Sequence, residues 1–408
     1  MNEKLIFNNL RDDLAVELYS ILTYWNEKTI DEVNGGFYGQ IDGTNTLQPE
    51  SPKGAVLNAR ILWTFSAAYR INRVERYHEM ASRAKDYLMN HFIDKEFGGV
   101  YWMLDFKGNP IDTKKQIYAQ SFAMYGLSEY YRATGDKTAL NEAVNLFELI
   151  EKYSFDKDKN GYFEAYSRDW KLLEDLRLSD KDANEKKTMN THLHVLEGYT
   201  NLYRVWPDEN LKKQIIGLID VFANQIINSN SWSFKLFFDE NWQCKSEITS
   251  YGHDIEGSWL LLEAAEVVGM HAIVEKVKQI ILKMAEEVLK NGLDADGGMI
   301  NEKKDSHIDY DKHWWPQAEA IVGFVNAWQV SGDIKFLEKA CKVWKFTKSS
   351  IIDKKGGEWF FRVNREGKPY PEEDKVGPWK CPYHNSRACF EIIERFGRKY
   401  QGDRLKKK

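Results

Sequence analysis

The stretch Asp94-Lys95-Glu96-Phe97-Gly98-Gly99-Val100-Tyr101-Trp102 carries an acidic residue, a glycine pair and an aromatic-rich run. The same arrangement, or a remnant of it, returns five more times along the chain. The other copies lie at residues 31–38, 156–163, 232–238, 294–300 and 353–360, and the copy at 232–238 is degenerate. The glycine pairs recur roughly every 60–70 residues, which is the length of two helices and a hairpin. The interval therefore predicts a fold made of repeated helical units.

Between the glycine-rich segments, apolar residues follow the spacing of amphipathic helices. Twelve helices are predicted, at residues 8–28, 53–71, 75–91, 116–134, 137–152, 189–205, 209–228, 250–269, 271–290, 315–331, 334–349 and 384–399. Gly135-Asp136 and Gly332-Asp333 each place a helix-ending glycine before an acidic N-cap residue, which indicates a tight turn between two helices.

The order of these elements predicts a closed ring. The helices that follow the hairpins are richer in apolar and aromatic residues, so we expect them to face the axis of the ring. No linker-like or low-complexity segment divides the 408 residues, which favours a single domain over residues 1–408. The predicted fold is an all-α (α/α)6 barrel of six helix pairs, with short Gly-rich β-hairpins at the active-site mouth.

Charge and cysteine content limit the partners and the compartment. The formal net charge is −5, with acidic and basic residues interspersed, which argues against nucleic acid and anionic membranes as partners. No run of residues suits a signal peptide or a membrane-spanning helix. The four cysteines have no CxxC spacing and suit a reducing compartment, so we expect a cytoplasmic protein that is a monomer or a weak homo-oligomer.

Conspicuous polar and aromatic side chains lie near the starts of the predicted inner helices, where a ring would bring them together at its mouth. The candidate site residues are Arg60, Tyr118, Asn190, His194, His253, Glu256, Trp259, Trp315, Glu319, Trp379 and His384. His192 and His194 are two residues apart and cannot both point inward from a helix, so we expect one of them to pack outside the site. Three histidines at equivalent positions of three repeats would converge on one axis, which favours a functional role over a structural one.

These residue types suit the removal of a proton next to a carbonyl group. A neutral imidazole accepts and donates protons near pH 7, and a helix N-terminus lowers the pKa of a nearby histidine and keeps it neutral. The guanidinium of Arg60 would stabilise the oxygen of an enediolate as it forms. The 14 Trp and 21 Tyr residues also provide aromatic faces on which sugar rings can stack.

Five motifs carry a family resemblance. They are Asn58-Ala59-Arg60, Asn190-Thr191-His192-Leu193-His194, His253-Asp254-Ile255-Glu256, Trp314-Trp315-Pro316-Gln317-Ala318-Glu319 and Trp379-Lys380-Cys381-Pro382-Tyr383-His384. Together they resemble the N-acylglucosamine 2-epimerase superfamily over essentially the whole chain.

The resemblance implies epimerisation at C2 of the reducing-end glucose of β-1,4-linked disaccharides such as cellobiose and lactose, through an enediolate and without a metal or nucleotide cofactor. In this resemblance His253 and His384 match the acid/base pair, and Arg60 and His194 match the groups that hold O1 and O2. The implied substrate-binding residues are Tyr118, Asn190, Glu256, Trp259, Trp315, Glu319 and Trp379.

Four alternatives stay open. Within the family, an epimerase of mannobiose or a related aldose–ketose isomerase shares much of this residue set. An inverting glycoside hydrolase on the same fold would use Glu256 and Glu319 as its two carboxylates. A metal-dependent isomerase could bind its ion through His194 and Glu197 or through His253 and Glu256. A non-catalytic sugar-binding module would need no acid/base pair.

Overall fold

The computed structural model describes the backbone of residues 3–405 and the side chains of residues 3–395. The first two and last three residues of the predicted domain lie outside the described part. The helices are α1 Glu3–Lys28, α2 Ala55–Asn72, α3 Glu75–Tyr87, α4 Ile117–Thr134, α5 Lys137–Tyr153, α6 Met189–Tyr203, α7 Glu209–Val221, α8 Tyr251–Val268, α9 His271–Asn291, α10 Trp314–Ser331, α11 Ile334–Phe346 and α12 Tyr383–Leu405.

The even-numbered helices form a closed inner ring. Each packs against the next, and α12 packs back against α2, while α1 packs on α12 and beside α11 and completes the outer wall. In α4 every residue from Ile117 to Tyr130 is buried, because neighbours cover the helix on all sides. The outer helix α3 buries only one stripe, at Met80, Ala81, Ala84 and Tyr87. The predicted (α/α)6 barrel is confirmed, including which helices face the axis.

Short antiparallel strands lie at one end of the ring, which we call the mouth. The strands are β1 Lys53–Gly54, β2 Met103–Leu104, β3 Pro110–Asp112, β4 Lys115–Gln116, β5 Ala165–Tyr166, β6 Lys187–Thr188, β7 Ile227–Asn228, β8 Ser233–Phe234, β9 Phe237–Phe238, β10 Ile248–Thr249, β11 Glu302–Lys304, β12 His307–Asp309, β13 Lys312–His313 and β14 Arg362–Val363. They pair as β1-β2-β3, β10-β11-β12, β13-β14, β4-β5, β6-β9 and β7-β8. Because β1, β4, β6, β10 and β13 lead into inner helices, the pairing brings the N-termini of those helices to the mouth.

The glycine pairs are required by backbone conformation and by close packing. Gly98 and Gly99 both have a left-handed backbone with φ 73°, which L side chains rarely adopt. A Cβ on Gly99 would stand 2.8 Å from Oε1 of Gln120 and 2.8 Å from the indole of Trp170. The hairpin can therefore approach the next inner helix only with glycine at this position.

Five buried lysines pair with hairpin aspartates, four of them from strands that directly precede inner helices and the fifth, Lys375, from the segment before α12. The Nζ–Oδ2 distances are 2.7 Å for Lys53–Asp31, 3.0 Å for Lys115–Asp94, 2.7 Å for Lys187–Asp156, 2.8 Å for Lys312–Asp294 and 2.5 Å for Lys375–Asp353. The lysine also donates to a hairpin carbonyl, as in the 2.8 Å bond from Lys53 to the oxygen of Gly35. The sequence showed the recurring aspartates but not their partners, which lie 18 to 31 residues away.

The outer helices differ from prediction at their ends. Segments predicted as α-helix to residues 91, 228 and 349 finish in π-helical turns, at Leu88–Phe92, Phe222–Ile226 and Thr347–Ile351. In the first of these turns the amide of Ile93 donates to the oxygen of Leu88, five residues back, at 3.2 Å. Within residues 3–405 no helix combines the length and apolar character needed to cross a membrane.

Lys53→Met should destabilise the fold strongly. The change leaves the Asp31 carboxylate buried without its cation, which typically costs about 3–5 kcal/mol of unfolding free energy. Lys335→Met is the matched control, because the side chains of Lys335 and its partners Glu286 and Asp333 are all exposed and such surface pairs contribute little to stability. Urea unfolding measures both variants. Similar losses in the two would show that the buried pair contributes no more than a surface pair.

Candidate active site

A cavity of about 200 Å³ opens at the mouth, on the barrel axis. Its walls are Arg60, Tyr118, Asn190, His194, His253, Glu256, His313, Trp314, Trp315, Phe361, Trp379 and His384. The structure thus brings the three predicted histidines and Arg60 to one cavity. His313 and Phe361 were not predicted. The β13–β14 pairing, whose strand β13 includes His313, brings the segment of Phe361 to the mouth, and the sequence does not show this pairing.

Each of the three predicted histidines in the cavity has its Nδ1 engaged by a neighbouring side chain. Nδ1 of His194 lies 2.9 Å from Oε2 of Glu197, and Nδ1 of His384 lies 2.7 Å from Oε1 of Glu319. Nδ1 of His253 lies 2.8 Å from the hydroxyl of Ser250. With Nδ1 held in this way, Nε2 of each ring is the nitrogen left for proton transfer in the cavity.

His192 takes the structural role that the sequence left to one of the two neighbouring histidines. Its Nε2 accepts the amide hydrogen of Tyr162 at 2.8 Å, and its Nδ1 lies 2.6 Å from the carbonyl oxygen of Thr188. The ring therefore fastens the third hairpin to α6, while His194 faces the cavity. The prediction that one of the pair packs outside the site is confirmed.

Arg387 lies beneath the cavity among three carboxylates. Its Nη2 donates to Oε1 of Glu256 at 2.5 Å and to Oε1 of Glu319 at 2.6 Å, and its Nη1 donates to Glu197 and contacts the hydroxyl of Tyr383. The side chains of the arginine and the carboxylates are all about 1% exposed. The sequence places Arg387 with His384 at the start of the last inner helix, three residues apart on one helix face, but assigns Arg387 no role in the site.

Two predicted substrate-binding residues lie behind the cavity wall. Trp259 is fully buried and donates from Nε1 to Oε2 of Glu319 at 3.0 Å, and its ring lies 4.8 Å from the guanidinium of Arg387. Glu319 in turn holds His384. Neither Trp259 nor Glu319 is among the residues that line the cavity, so their part in substrate binding stays a prediction.

Burial and nearby cations favour the neutral form of the imidazoles. Burial lowers the pKa of His253 to about 3, with a further lowering from His194. Burial also lowers the pKa of His194, although Glu197 opposes it, and the pKa of His384, where Arg60 and Arg387 add to the effect. All three rings are therefore neutral at pH 7 and can accept a proton.

The carboxylates around Arg387 differ in charge. Burial raises the pKa of Glu256, with the neighbouring Glu319 adding to the effect, and burial raises the pKa of Glu319 as well. Burial also opposes ionisation of Glu197, but Arg387 and His194 outweigh it and lower the pKa to about 2. Glu197 is thus the permanent anion of the cluster, and the Glu256–Glu319 pair favours retaining a proton.

Arg60 and Asn190 present polar groups to the cavity. Arg60 donates from Nη2 to the hydroxyl of Tyr118 at 2.9 Å, and its guanidinium lies 4.1 Å from the ring centroid of Phe122. Within the described part of the chain, the buried Oδ1 of Asn190 has no hydrogen-bond partner. A buried acceptor of this kind is costly unless a ligand group satisfies it, so Asn190 suits a hydroxyl donor.

A second cavity of about 340 Å³ adjoins the first and shares Asn190, His253 and His313 with it. Its outer walls carry both signs of charge. They include Arg177, Asp182, Glu302, Asp309 and Arg362. The two cavities form one cleft, in which we call the part lined by all three imidazoles the deep cavity and the part lined by these charged residues the outer cavity.

This fold and site define a protein family. A model of the N-acylglucosamine 2-epimerase (GlcNAc 2-epimerase) family matches residues 36–388. The chain belongs to the N-acylglucosamine 2-epimerase family.

The individual relatives extend over nearly the full length. Cellobiose 2-epimerase of Bacteroides fragilis is 52% identical over 387 residues, which are 94% of this chain and 98% of that protein. Cellobiose 2-epimerase of Ruminococcus albus is 42% identical over 392 residues, which are 96% of this chain and 99% of that protein. The solved structure of cellobiose 2-epimerase from Bacillus thermoamylovorans B4167 has a TM-score of 0.92 and 42% identity, covering 95% of this chain and 100% of its own. A D-mannose isomerase at 20% identity, with a TM-score of 0.82, shares the fold.

Acid should weaken folding through His253. The pKa of this imidazole is about 3 in the folded chain and near 6.5 when unfolded, so the unfolded state binds one more proton between these values and stability falls as the pH is lowered through them. The slope from this residue is at most about 1.4 kcal/mol per pH unit. Urea unfolding from about pH 6.5 to about pH 4.5 should show a smaller slope for His253→Asn than for the wild type. Equal slopes would show that His253 is protonated in the folded protein.

Proposed function

We propose that this protein is a carbohydrate 2-epimerase that inverts C2 of the reducing-end glucose in β-1,4-linked disaccharides. One observation carries the proposal: the ring centroids of His253 and His384 lie 4.6 Å and 5.7 Å from the ring centroid of Trp315, and both histidines line the same cavity as Arg60. Two imidazoles around one small cavity can serve opposite faces of one carbon. That is the requirement for inverting a carbon by proton transfer.

The reaction removes the proton on C2 and returns one to the other face. A neutral imidazole accepts the C2 proton, and the electrons of the broken C–H bond move into an enediolate across C1 and C2. Arg60 is charged at every relevant pH, and with His194 it stabilises the developing oxygen charge. The second imidazole takes up a proton by exchange with solvent or with the Glu256–Glu319 pair, delivers it to the opposite face of C2 and becomes neutral again, while the first imidazolium returns its proton to solvent.

The buried carboxylates help to balance these protons. When His384 carries the extra proton, the resulting imidazolium lies 2.7 Å from Oε1 of Glu319 through its Nδ1. An adjacent carboxylate favours the charged imidazole and also fixes the plane of the ring. Arg387 holds that carboxylate from the other side, so the base keeps its direction while its charge changes.

The cleft suits a substrate of two sugar rings. The deep cavity of about 200 Å³ and the outer cavity of about 340 Å³ together fall in the usual size range of small-molecule sites, and they meet at Asn190 and His253. The reducing-end sugar would lie among the imidazoles, with Trp315 and Trp379 as stacking surfaces, and the second sugar would lie in the outer cavity. The names of the Bacteroides and Ruminococcus relatives support cellobiose as a substrate. Epimerisation of mannobiose is the alternative activity, because the same cleft would hold this disaccharide.

Two rival chemistries fit the geometry less well. Ligand atoms of Glu256, Glu319 and His384 lie within 4.8 Å of one another, whereas an inverting hydrolase holds its two carboxyl groups about 6.5–9.5 Å apart. The same three residues have the spacing of a metal site, but Nη2 of Arg387 lies between the two carboxylates, within 2.6 Å of both. The guanidinium thus supplies the positive charge at this point.

We also propose that residues 1–408 form one catalytic domain, that the protein is a monomer or a weak homo-oligomer, and that it is cytoplasmic. The four cysteines are all free thiols in the structure, which supports a reducing compartment.

Incubation with cellobiose in deuterated water should yield a second disaccharide that carries one deuterium at C2. Proton exchange between the imidazoles and solvent introduces the label. NMR and mass spectrometry identify the product, and lactose, mannobiose, mannose and N-acetylglucosamine tested under the same conditions rank the substrates. Free glucose would instead indicate a hydrolase, and an unlabelled epimer would indicate a route without proton exchange.

His253→Ala and His384→Ala should each abolish epimerisation while the protein stays folded. Each removes one proton-transfer group, and such groups contribute about 10²–10⁴-fold to the rate. His271→Ala, on the exposed start of α9, is the matched control and should keep full activity. Initial rates and thermal melting decide the outcome. Substantial activity in either active-site variant would rule out the two-histidine mechanism.

A further inference from the structure

The sixth hairpin departs from its sister copies at Glu358. This residue has a left-handed backbone with φ 62°, at the position where the first three copies have Gly36, Gly99 and Gly161 with φ 63°, 73° and 84°. L side chains avoid this region because the Cβ meets the backbone. A glutamate retained in a glycine position indicates that its carboxylate has a task that outweighs the strain.

In the other repeats the hairpin amide has a different acceptor. In four of them, the fourth residue of the following inner helix accepts the amide hydrogen of the hairpin. These pairs are Gln120 with Val100 at 2.6 Å, His192 with Tyr162 at 2.8 Å, Asp254 with Phe234 at 2.7 Å and Gln317 with Met299 at 2.8 Å. The fourth residue of α12 is Ser386, whose side chain is shorter. In this repeat the amide of Trp359 donates instead to Oε1 of Glu358, at 2.9 Å.

From the hairpin, Glu358 reaches into the segment that starts α12. Its Oε1 accepts from Nζ of Lys380 and from Nδ2 of Asn385, each at 2.7 Å, and its Oε2 accepts from Nε1 of Trp25 at 2.6 Å. The side chains of Glu358 and Lys380 are both 0% exposed. The direction of the contact is thus reversed: the hairpin supplies the polar side chain, and the helix segment supplies the donors.

The two donors stand next to site residues in the chain. Lys380 follows Trp379, and Asn385 follows His384. Both neighbours line the cavity. The ammonium of Lys380 also lies 5.3 Å from the ring centroid of Trp314, another wall of the cavity.

We propose that Glu358 is a positioning residue of the active site, whose carboxylate holds Lys380 and Asn385 and thereby sets the placement of Trp379 and His384. The turnover test of this inference rests on the proposed function. Hydrogen exchange tests it on the structure alone.

The decisive variant is the double substitution Glu358→Gly with Lys380→Met. Glycine suits the left-handed backbone, and methionine avoids leaving a buried ammonium without its anion, so the variant should fold and melt close to the wild type.

The kcat/KM of this double variant with cellobiose should fall about 10²-fold, since small displacements of catalytic groups have effects of this size. With the reaction run in deuterated water, the fraction of unconverted cellobiose that carries deuterium at C2 should also change, because the substitutions displace His384 and leave His253 in place. Hydrogen exchange in residues 377–386 should accelerate about tenfold or more, because the segment has lost its anchor.

Glu129→Gln is the control. Glu129 is also a buried carboxylate, bonded to Arg70 at 2.6 Å and to Asn201 at 3.2 Å, but it lies near the far end of α4. This variant should lower the melting temperature. It should leave kcat/KM and the deuterated fraction of unconverted cellobiose unchanged. Wild-type kcat/KM together with wild-type exchange in the double variant would overturn the inference. If the wild-type protein turns over none of the sugars, the proposed function fails, and hydrogen exchange in residues 377–386 still decides whether Glu358 holds this segment.

Discussion

The guanidinium of Arg387 is a fixed cation in contact with three buried carboxylates, and the arrangement of the deep cavity depends on that contact. Two of those carboxylates, Glu197 and Glu319, also hold the Nδ1 atoms of His194 and His384. Without the cation, the carboxylates would repel one another in a region of low dielectric constant, and their positions would change. The histidines would lose their orientation with them. One interaction thus stabilises the floor of the barrel and aims the proton-transfer groups.

The hairpins provide the rigid frame around this cluster. Each pair of a buried lysine and an aspartate joins a hairpin to the segment before an inner helix, and polar residues in the first turn of four of those helices accept hairpin amides. The helix starts are therefore fixed from two directions. Functional groups placed on such starts, rather than on free loops, keep their geometry with little loss of conformational entropy when a ligand binds.

Burial gives the site its proton chemistry. Burial disfavours the imidazolium form of all three rings, and Arg60 and Arg387 add to this effect at His194 and His384. A neutral ring can act as a base at pH 7, and the same cations stabilise the negative oxygen that appears when a proton leaves carbon. The Glu256–Glu319 pair, with its raised pKa values, adds a protonatable group directly behind His384.

The sequence alone determined the barrel, the helices that face its axis and most of the residues that line the cavity. These features rest on periodicity and on position within a repeat, which are local properties of the chain. The tertiary structure decided the partners of each side chain. Arg387 meets Glu256 and Glu197 across 131 and 190 residues of sequence. Trp259 donates to Glu319, which lies on another inner helix 60 residues away. Hydrogen bonds and ion pairs require atoms to approach within about 3 Å, and no sequence pattern fixes distances between helices so far apart in the chain.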